Sequence, residues 1–254
     1  MAIAAADAES GHSEKARLTR EHYEAYPFVA GGAARIDHWG RRLREFMPGQ
    51  SLEGQTILDV GCGSGEVARA LANRGAAMVC IDLTRAAAQR ARGLVGPSCC
   101  QANALHLPFP DASFDQVVSI GVLHHTPDCR AALAEVARVT REGGRIVVLL
   151  YSRWTPYHGI YWLTGPIRDR VPVKWLEHIP HWALHPMRLV AARVTHLSYD
   201  NDQVRSLIAD QIWTPQATFH TVRQIRAWGD QCGFALREHH SYALYSDVFT
   251  LERK

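Results

Sequence analysis

The chain has 254 residues, 47% of them apolar, with 28 Lys and Arg against 25 Asp and Glu for a net charge of +3. That length suits one large α/β domain or two small ones, and the mild, scattered basic excess argues against the stripe that binds nucleic acid. Six cysteines without CxxC pairs or regular spacing argue against a disulfide scaffold and for reduced thiols in a cytoplasmic protein, the opening MAIAAADAES lacks the basic start of a signal peptide, and no apolar run reaches the roughly 18 residues of a membrane span.

Residues 1–12 are Ala-rich and polar and are expected to lack regular structure. A helix is expected from Glu14 to Tyr26, closed by Pro27, because the residue before a proline is pushed out of the helical region. It carries the string HYEAYPF, His22 to Phe28. Tyr23, Tyr26 and Phe28 either dock this arm onto the core or close it over a ligand. A second helix is expected over Ala33 to Met47, stopped by Pro48 and Gly49.

The stretch Ile57 to Gly65, ILDVGCGSG, organises the rest of the chain. An apolar strand ends in Asp59, a turn passes through Gly61, Gly63 and Gly65, and a helix starts near Glu66. Without a Cβ, such a turn bends sharply and lets a ligand lie against the backbone. The dinucleotide fingerprint GxGxxG needs glycine where Glu66 stands; a carboxylate at a helix start opposes a pyrophosphate and suits a cationic ligand. Ala76 to Asp82 reads as a buried strand, and Thr84 caps a helix to about Leu94. Asp82 falls 21 residues after Gly61, where a βαβ unit presents an acid to ribose hydroxyls.

A short strand is expected near Ser98 to Ala102 and a fourth over Phe114 to Ile120. Gly121 to His125 then forms the loop beyond its carboxyl end, the edge at which open parallel sheets bind ligands. Pro127 opens a helix that Gly143-Gly144 ends, and Arg145 to Tyr151 is a fifth strand. This regular βα alternation predicts a doubly wound parallel sheet. From Tyr151 to Pro215 the rhythm breaks. Trp154, Tyr157, Tyr161, Trp162, Trp175, Trp182 and Trp213 suggest short helices forming a lid whose aromatics serve as core and pocket wall. His178, His181 and His185 have helical spacing, but Pro180 and Pro186 interrupt them and no carboxylate completes a set, so no metal is expected. Thr221 and Gln224 form a capping box, Val222, Ile225, Trp228 and Cys232 an inward stripe, and Gly233 a stop. Phe234 to Ser241 and Ala243 to Leu251 fit two final strands joined by a tight turn.

The string ILDVGCGSG, the distance to Asp82, the passage NALHLPFPDASFD and the closing strand pair together resemble the class I S-adenosylmethionine (SAM)-dependent methyltransferases of the small-molecule type. The resemblance is specific from about Thr56 to Leu150. It implies an α/β, Rossmann-like seven-stranded sheet with the last strand antiparallel. The implied divisions are an N-terminal helical arm (1–50), a SAM-binding core (51–151), an aromatic-rich helical lid inserted after strand five (152–215) and the C-terminal part of the core (216–254). SAM is the implied cofactor and S-adenosylhomocysteine (SAH) the product.

On this resemblance Asp59 faces the α-ammonium of SAM, and Gly61, Cys62, Gly63 and Gly65 admit its methionine part. Asp82 holds the ribose, Leu83 lies beside the adenine, and Asn103, where Asp is common, or Ala104 meets its amino edge. Ser119, Gly121 and Tyr26 complete the implied set. An acceptor proton needs a base, and histidine serves near neutral pH. His124 and His125 on the loop, with His22 and Tyr23 on the arm, are the candidates; the loop pair could instead cap the next helix. A small-molecule acceptor, aromatic or lipophilic, is expected. Base-amino methylation of nucleic acid is disfavoured because SIGVLHH replaces (D/N)PP(Y/F), although ribose or carbon methylation stays open. An NAD-dependent oxidoreductase, disfavoured by Glu66, and a module that binds SAM without transfer are the other readings.

Overall fold

The computed structural model describes residues 2–28, 31–49, 51–195 and 197–254, with side chains from Ser13 onward. Seven strands form one sheet: β1 (Thr56–Val60), β2 (Ala77–Asp82), β3 (Cys99–Gln101), β4 (Phe114–Ile120), β5 (Thr140–Tyr151), β6 (Phe234–Tyr242) and β7 (Ser246–Arg253). Their order is β3-β2-β1-β4-β5-β7-β6. The first five run parallel, and β7 lies antiparallel between β5 and β6. This is the expected fold class.

Neighbouring apolar residues on each central strand enter opposite layers, as the two-residue period of a strand requires. Leu58, Val117 and Val148 pack with Leu133 and Val136 of α5 (Cys129–Val139) and Ile225 of α10 (Val222–Gln231). Ile57, Val118 and Val147 pack on the other face with Leu43 and Phe46 of α2 (Gly32–Phe46), Leu71 of α3 (Glu66–Ala72) and Ala91 of α4 (Arg85–Val95). Each such side chain contributes about 1.5–3 kcal/mol when fully buried. A third cluster, Leu176, Leu184, Val204 and Ile208, lies in the helical segment after β5.

Several expectations need correction. The N-terminal helix α1 spans Ala2–Ala25, so the Ala-rich start continues it; alanine has the highest helix propensity. Met1 lies outside the described residues. Pro127 does not open α5: Asp128 is its N-cap, and the carboxylate accepts the Ala131 N–H at 3.0 Å. Gly143-Gly144 does not end that helix either. The chain turns directly into β5 at Thr140, and the register against β4 slips between Phe114 and Gln116, with Gly143 in the left-handed region.

Between Tyr151 and Thr221 run α6 (Pro156–Leu163), α7 (Gly165–Arg170), a 3-10 turn (Val173–His178), α8 (His181–Thr195), α9 (Asn201–Ile208) and a π turn (Ala209–Trp213). Pro186 lies inside α8 rather than interrupting it, and His181 and His185 are exposed. The tryptophans depart from the expected pocket wall: Trp154, Trp162, Trp175 and Trp182 are 61–82% exposed, while Tyr151 and Tyr161 are the buried aromatics.

Candidate active site

The turn after β1 is built by backbone hydrogen bonds that only this chain path allows. Gly61 and Cys62 N–H both donate to the Ile81 carbonyl, at 2.8 and 2.9 Å, and Gly65 N–H donates to Cys62 O. Gly61 has φ 78°, and a Cβ there would lie 2.4 Å from both Val122 methyls, so glycine is obligatory for packing. Gly63 differs. Its φ is 54°, yet a Cβ would meet nothing within 4 Å, so this backbone faces open space. Gly121 at the end of β4 is likewise open.

Asp82 locks the turn. One carboxylate oxygen accepts the Gly63 N–H at 3.0 Å, and the other accepts both the N–H and the hydroxyl of Thr84 at 2.9 Å. Thr84 in turn caps α4 by accepting the Ala87 N–H. Glu66 opens α3 and accepts the Gly31 N–H at 2.9 Å, which ties the N-terminal arm to the turn. Asp59 is 1% exposed, and its Oδ2 has no hydrogen-bond partner among the described residues. Burial, with Asp82 and Glu66 nearby and the Ala68 N–H opposing them, raises its pKa to about 7. Three carboxylates therefore converge on one cavity, a field that favours a cationic ligand over a pyrophosphate.

That cavity, of about 270 Å³, is lined at one end by Asp59, Gly61, Cys62, Gly63, Glu66, Asp82 and Leu83, with Asn103, Ala104 and Gly121 along it. Asn103 Oδ1 accepts the Leu105 N–H at 3.0 Å, which shapes its own turn. At the other end stand Tyr23, His125, Tyr151, Asp210 and Gln211. Gly65 is not among the lining residues; its φ is 89°, and a Cβ would press on the Ala91 backbone at 3.1 Å, so it serves the packing of α3 on α4.

His125 occupies the 3-10 turn Leu123–His125 and is 4% exposed. Its Nδ1 lies 2.8 Å from the Gln216 carbonyl, an acceptor only, so Nδ1 carries the proton and Nε2 presents a lone pair. Nε2 has no hydrogen-bond partner among the described residues and lies 4.0 Å from Asp210 Oδ1. Burial pushes the imidazole below its ordinary pKa, partly opposed by Asp210 and the Gln216 carbonyl. Tyr23 donates to Asp210 Oδ1 at 2.8 Å, and Gln211 donates to Asp210 Oδ2 at 3.0 Å and to the Tyr151 hydroxyl at 2.8 Å. Burial, reinforced by Asp210, holds the Tyr23 and Tyr151 phenols protonated. The loop is clamped from the far side: Thr218 N–H and hydroxyl donate to His124 O, and the Gln216 amide donates to Thr126 O.

Besides Gly65, four further sequence candidates lie elsewhere. Ser119 is fully buried in β4 and donates to Val60 O at 3.0 Å, so its hydroxyl holds neighbouring strands together rather than lining the cavity. Tyr26 packs against the Leu176 cluster. His124 is fully buried beneath the site with its ring 3.7 Å from that of Tyr151, and burial keeps it neutral. His22 stacks edge-on with Tyr23 and is held near pKa 4 by burial, outside the cavity lining. Sequence reasoning missed Asp210, Gln211 and Tyr151. Tyr151 ends a buried parallel strand at its carboxyl edge, which is a readable signal, and Asp210 is a lone acid in the apolar run LIADQIW.

The strand order with its antiparallel seventh strand, and an acid-lined glycine turn opening on a cavity at the carboxyl edge, define a Rossmann-like nucleoside-binding enzyme fold of the methyltransferase class. Residues 58–148 match the family model described as a methyltransferase domain. The chain is similar to the O-methyltransferase resE of Aspergillus sclerotiorum (42% identity, 39% of this chain, 40% of that protein). It is also similar to the demethylmenaquinone methyltransferase of Thermobifida fusca (29%, 72% of this chain, 66% of that protein). It thus spans about two-fifths and two-thirds of the length of these relatives. Among solved structures, magnesium protoporphyrin IX methyltransferase from Synechocystis PCC 6803 with bound SAH superposes with a TM-score of 0.55 at 16% identity, over 86% of this chain and 82% of that one. The putative methyltransferase in a Haloferax volcanii complex with the Trm112 activator gives 0.56 at 18%, over 85% and 90%. At these identities the structures establish the fold. Residues 58–148 form a methyltransferase domain on a fold of the class I SAM-dependent type, and the dinucleotide alternative is set aside.

Proposed function

We propose that the protein transfers the methyl group of SAM to a small-molecule acceptor through a heteroatom whose proton His125 removes. One observation carries the reading: a single cavity joins the open backbone at Gly63, with its acids, to the bare Nε2 of His125. The residues fit the cofactor. Asp59 offers a buried, unpartnered oxygen to the ammonium, Gly63 offers room against the backbone, and the acceptor positions left on Asp82 suit ribose hydroxyls. Leu83 and Ala104 would flank the base, with Asn103 near its amino edge. Bound SAM would supply an electrophilic methyl on sulfonium, so the chain needs no nucleophile of its own.

The protein's part is orientation, exclusion of water and proton transfer. His125 accepts the acceptor's proton at Nε2 while the Gln216 carbonyl keeps Nδ1 protonated and the ring fixed. Asp210, 4.0 Å away, stabilises the imidazolium that forms, and Tyr23 and Gln211 hold Asp210 in place. Tyr23, from the N-terminal helix, closes the cavity beside His125, with ring centroids 6.0 Å apart. The relatives include an O-methyltransferase, which supports transfer to oxygen, and a demethylmenaquinone methyltransferase, which supports a small-molecule acceptor.

Calorimetric titration with SAH and with NADH tests the cofactor end; NADH binding without SAH binding would overturn the assignment. Incubation with methyl-labelled SAM and a cell extract, followed by mass spectrometry, tests the acceptor. Label confined to RNA or protein would refute the small-molecule reading.

A further inference from the structure

The helical segment after β5 carries a surface that the cavity does not use. Of the twelve large apolar side chains exposed among the described residues, ten fall between Trp154 and Val190. Four are tryptophans, Trp154, Trp162, Trp175 and Trp182, out of seven in the chain. Isolated exposed apolar residues are ordinary, but this concentration in one stretch is not.

Helix α8 makes the point geometrically. Leu184, Ala191 and Thr195 are buried, and their spacing of seven and four residues puts them on one face. Trp182, Leu189 and Val190 are exposed on the opposite face, which ends in Arg193. A helix that is apolar on both faces expects cover on both. The charge says what covers it. Residues 152–195 hold six Lys and Arg against two acids, an excess larger than the net charge of the whole chain. Arg153, Arg170, Lys174 and Arg193 are exposed among the tryptophans. A second copy seated face to face would bring the same positive charge against itself. Apolar rings that also prefer a wet edge, flanked by cations, match the headgroup region of an anionic bilayer. No helix among the described residues is long and apolar enough to cross a membrane, so contact would be interfacial.

We propose that the outer face of residues 153–193, through Trp162, Trp175, Trp182, Leu189 and the adjoining cations, docks on the surface of an anionic lipid bilayer. The proposal concerns this surface alone and does not depend on which acceptor the cavity takes.

The test uses the full chain with sonicated vesicles of phosphatidylcholine alone or with about 30% phosphatidylserine. The expected result is binding about tenfold tighter to the anionic vesicles, weakened by salt, with tryptophan emission quenched by brominated acyl chains. A Trp162→Ala/Trp182→Ala pair and an Arg170→Glu/Lys174→Glu pair should each lower vesicle affinity about tenfold while leaving SAH binding unchanged. No vesicle binding by the wild type, equal binding to neutral and anionic vesicles, or self-association that hides the tryptophans instead would overturn it. The quenching measurement needs no variant, so it decides the matter even where a substitution fails to fold.

Discussion

Asp59→Asn tests whether the acid at the end of β1 is kept for a ligand at the expense of the free protein. Burial and the carboxylates of Asp82 and Glu66 lift its pKa from 3.8 to about 7. The folded state holds that proton more tightly than the unfolded chain, so the linked stability is fully present below about pH 4 and is lost as the pH rises through about 7. A displacement of about three pH units corresponds to about 4 kcal/mol. Asparagine removes the buried charge but places an amide donor where no acceptor waits, which costs about 1–3 kcal/mol. At pH 8 the variant should therefore be more stable than wild type by about 1–3 kcal/mol, roughly 2–4 °C in Tm for each kcal/mol at this chain length. At pH 5, where wild-type Asp59 is already neutral, the gain should vanish or reverse. Scanning calorimetry at the two pH values measures both. The same scans with SAH at 100 times its Kd should stabilise wild type by about 2.7 kcal/mol and leave the variant unmoved. A Tm difference that is the same at pH 5 and pH 8, or equal stabilisation of both proteins by SAH, would refute the reasoning.

Gly61→Ala and Gly63→Ala should part company in calorimetry. The first forces a Cβ into Val122 at 2.4 Å and should unfold several degrees earlier, whereas the second costs about 1 kcal/mol in backbone strain but should lose SAH affinity because its methyl fills the crevice. His125→Asn should lower kcat by about 10² to 10⁴ with SAH binding intact; unchanged turnover would remove His125 from the mechanism. In the wild type, the acid limb of kcat/KM should lie below the ordinary histidine value of 6.5, because burial lowers the pKa of His125 and so leaves Nε2 free to accept a proton at more acidic pH. Leu244, 77% exposed with φ 64° in the turn between β6 and β7, should gain about 1 kcal/mol of thermal stability on replacement by Gly.

The core was legible because strand and helix periods are local properties. The run Phe114–Ile120 emerged as a strand with the expected bounds, and the Thr221 capping box formed with both of its hydrogen bonds. The glycine turn was legible for a related reason: its conformation resides in consecutive backbone atoms, and Asp82 is fixed by the length of one βα unit. Ser119 and Tyr26 lie outside the cavity lining because the face a side chain takes depends on what packs beside it. Of two adjacent histidines, only the clamp by Thr218 and Gln216, some 90 residues on, turns His125 toward the cavity and His124 beneath it. Asp210 arrives from a π turn that no spacing announces.

By itself, then, the sequence determined the sheet, the glycine turn and the acids that ride on it, since short-range periodicity and turn chemistry specify all three. The tertiary structure alone decided which histidine and which acid line the cavity together and which tryptophans face outward. Those choices rest on burial and on contacts between residues far apart in the chain, which local pattern does not encode.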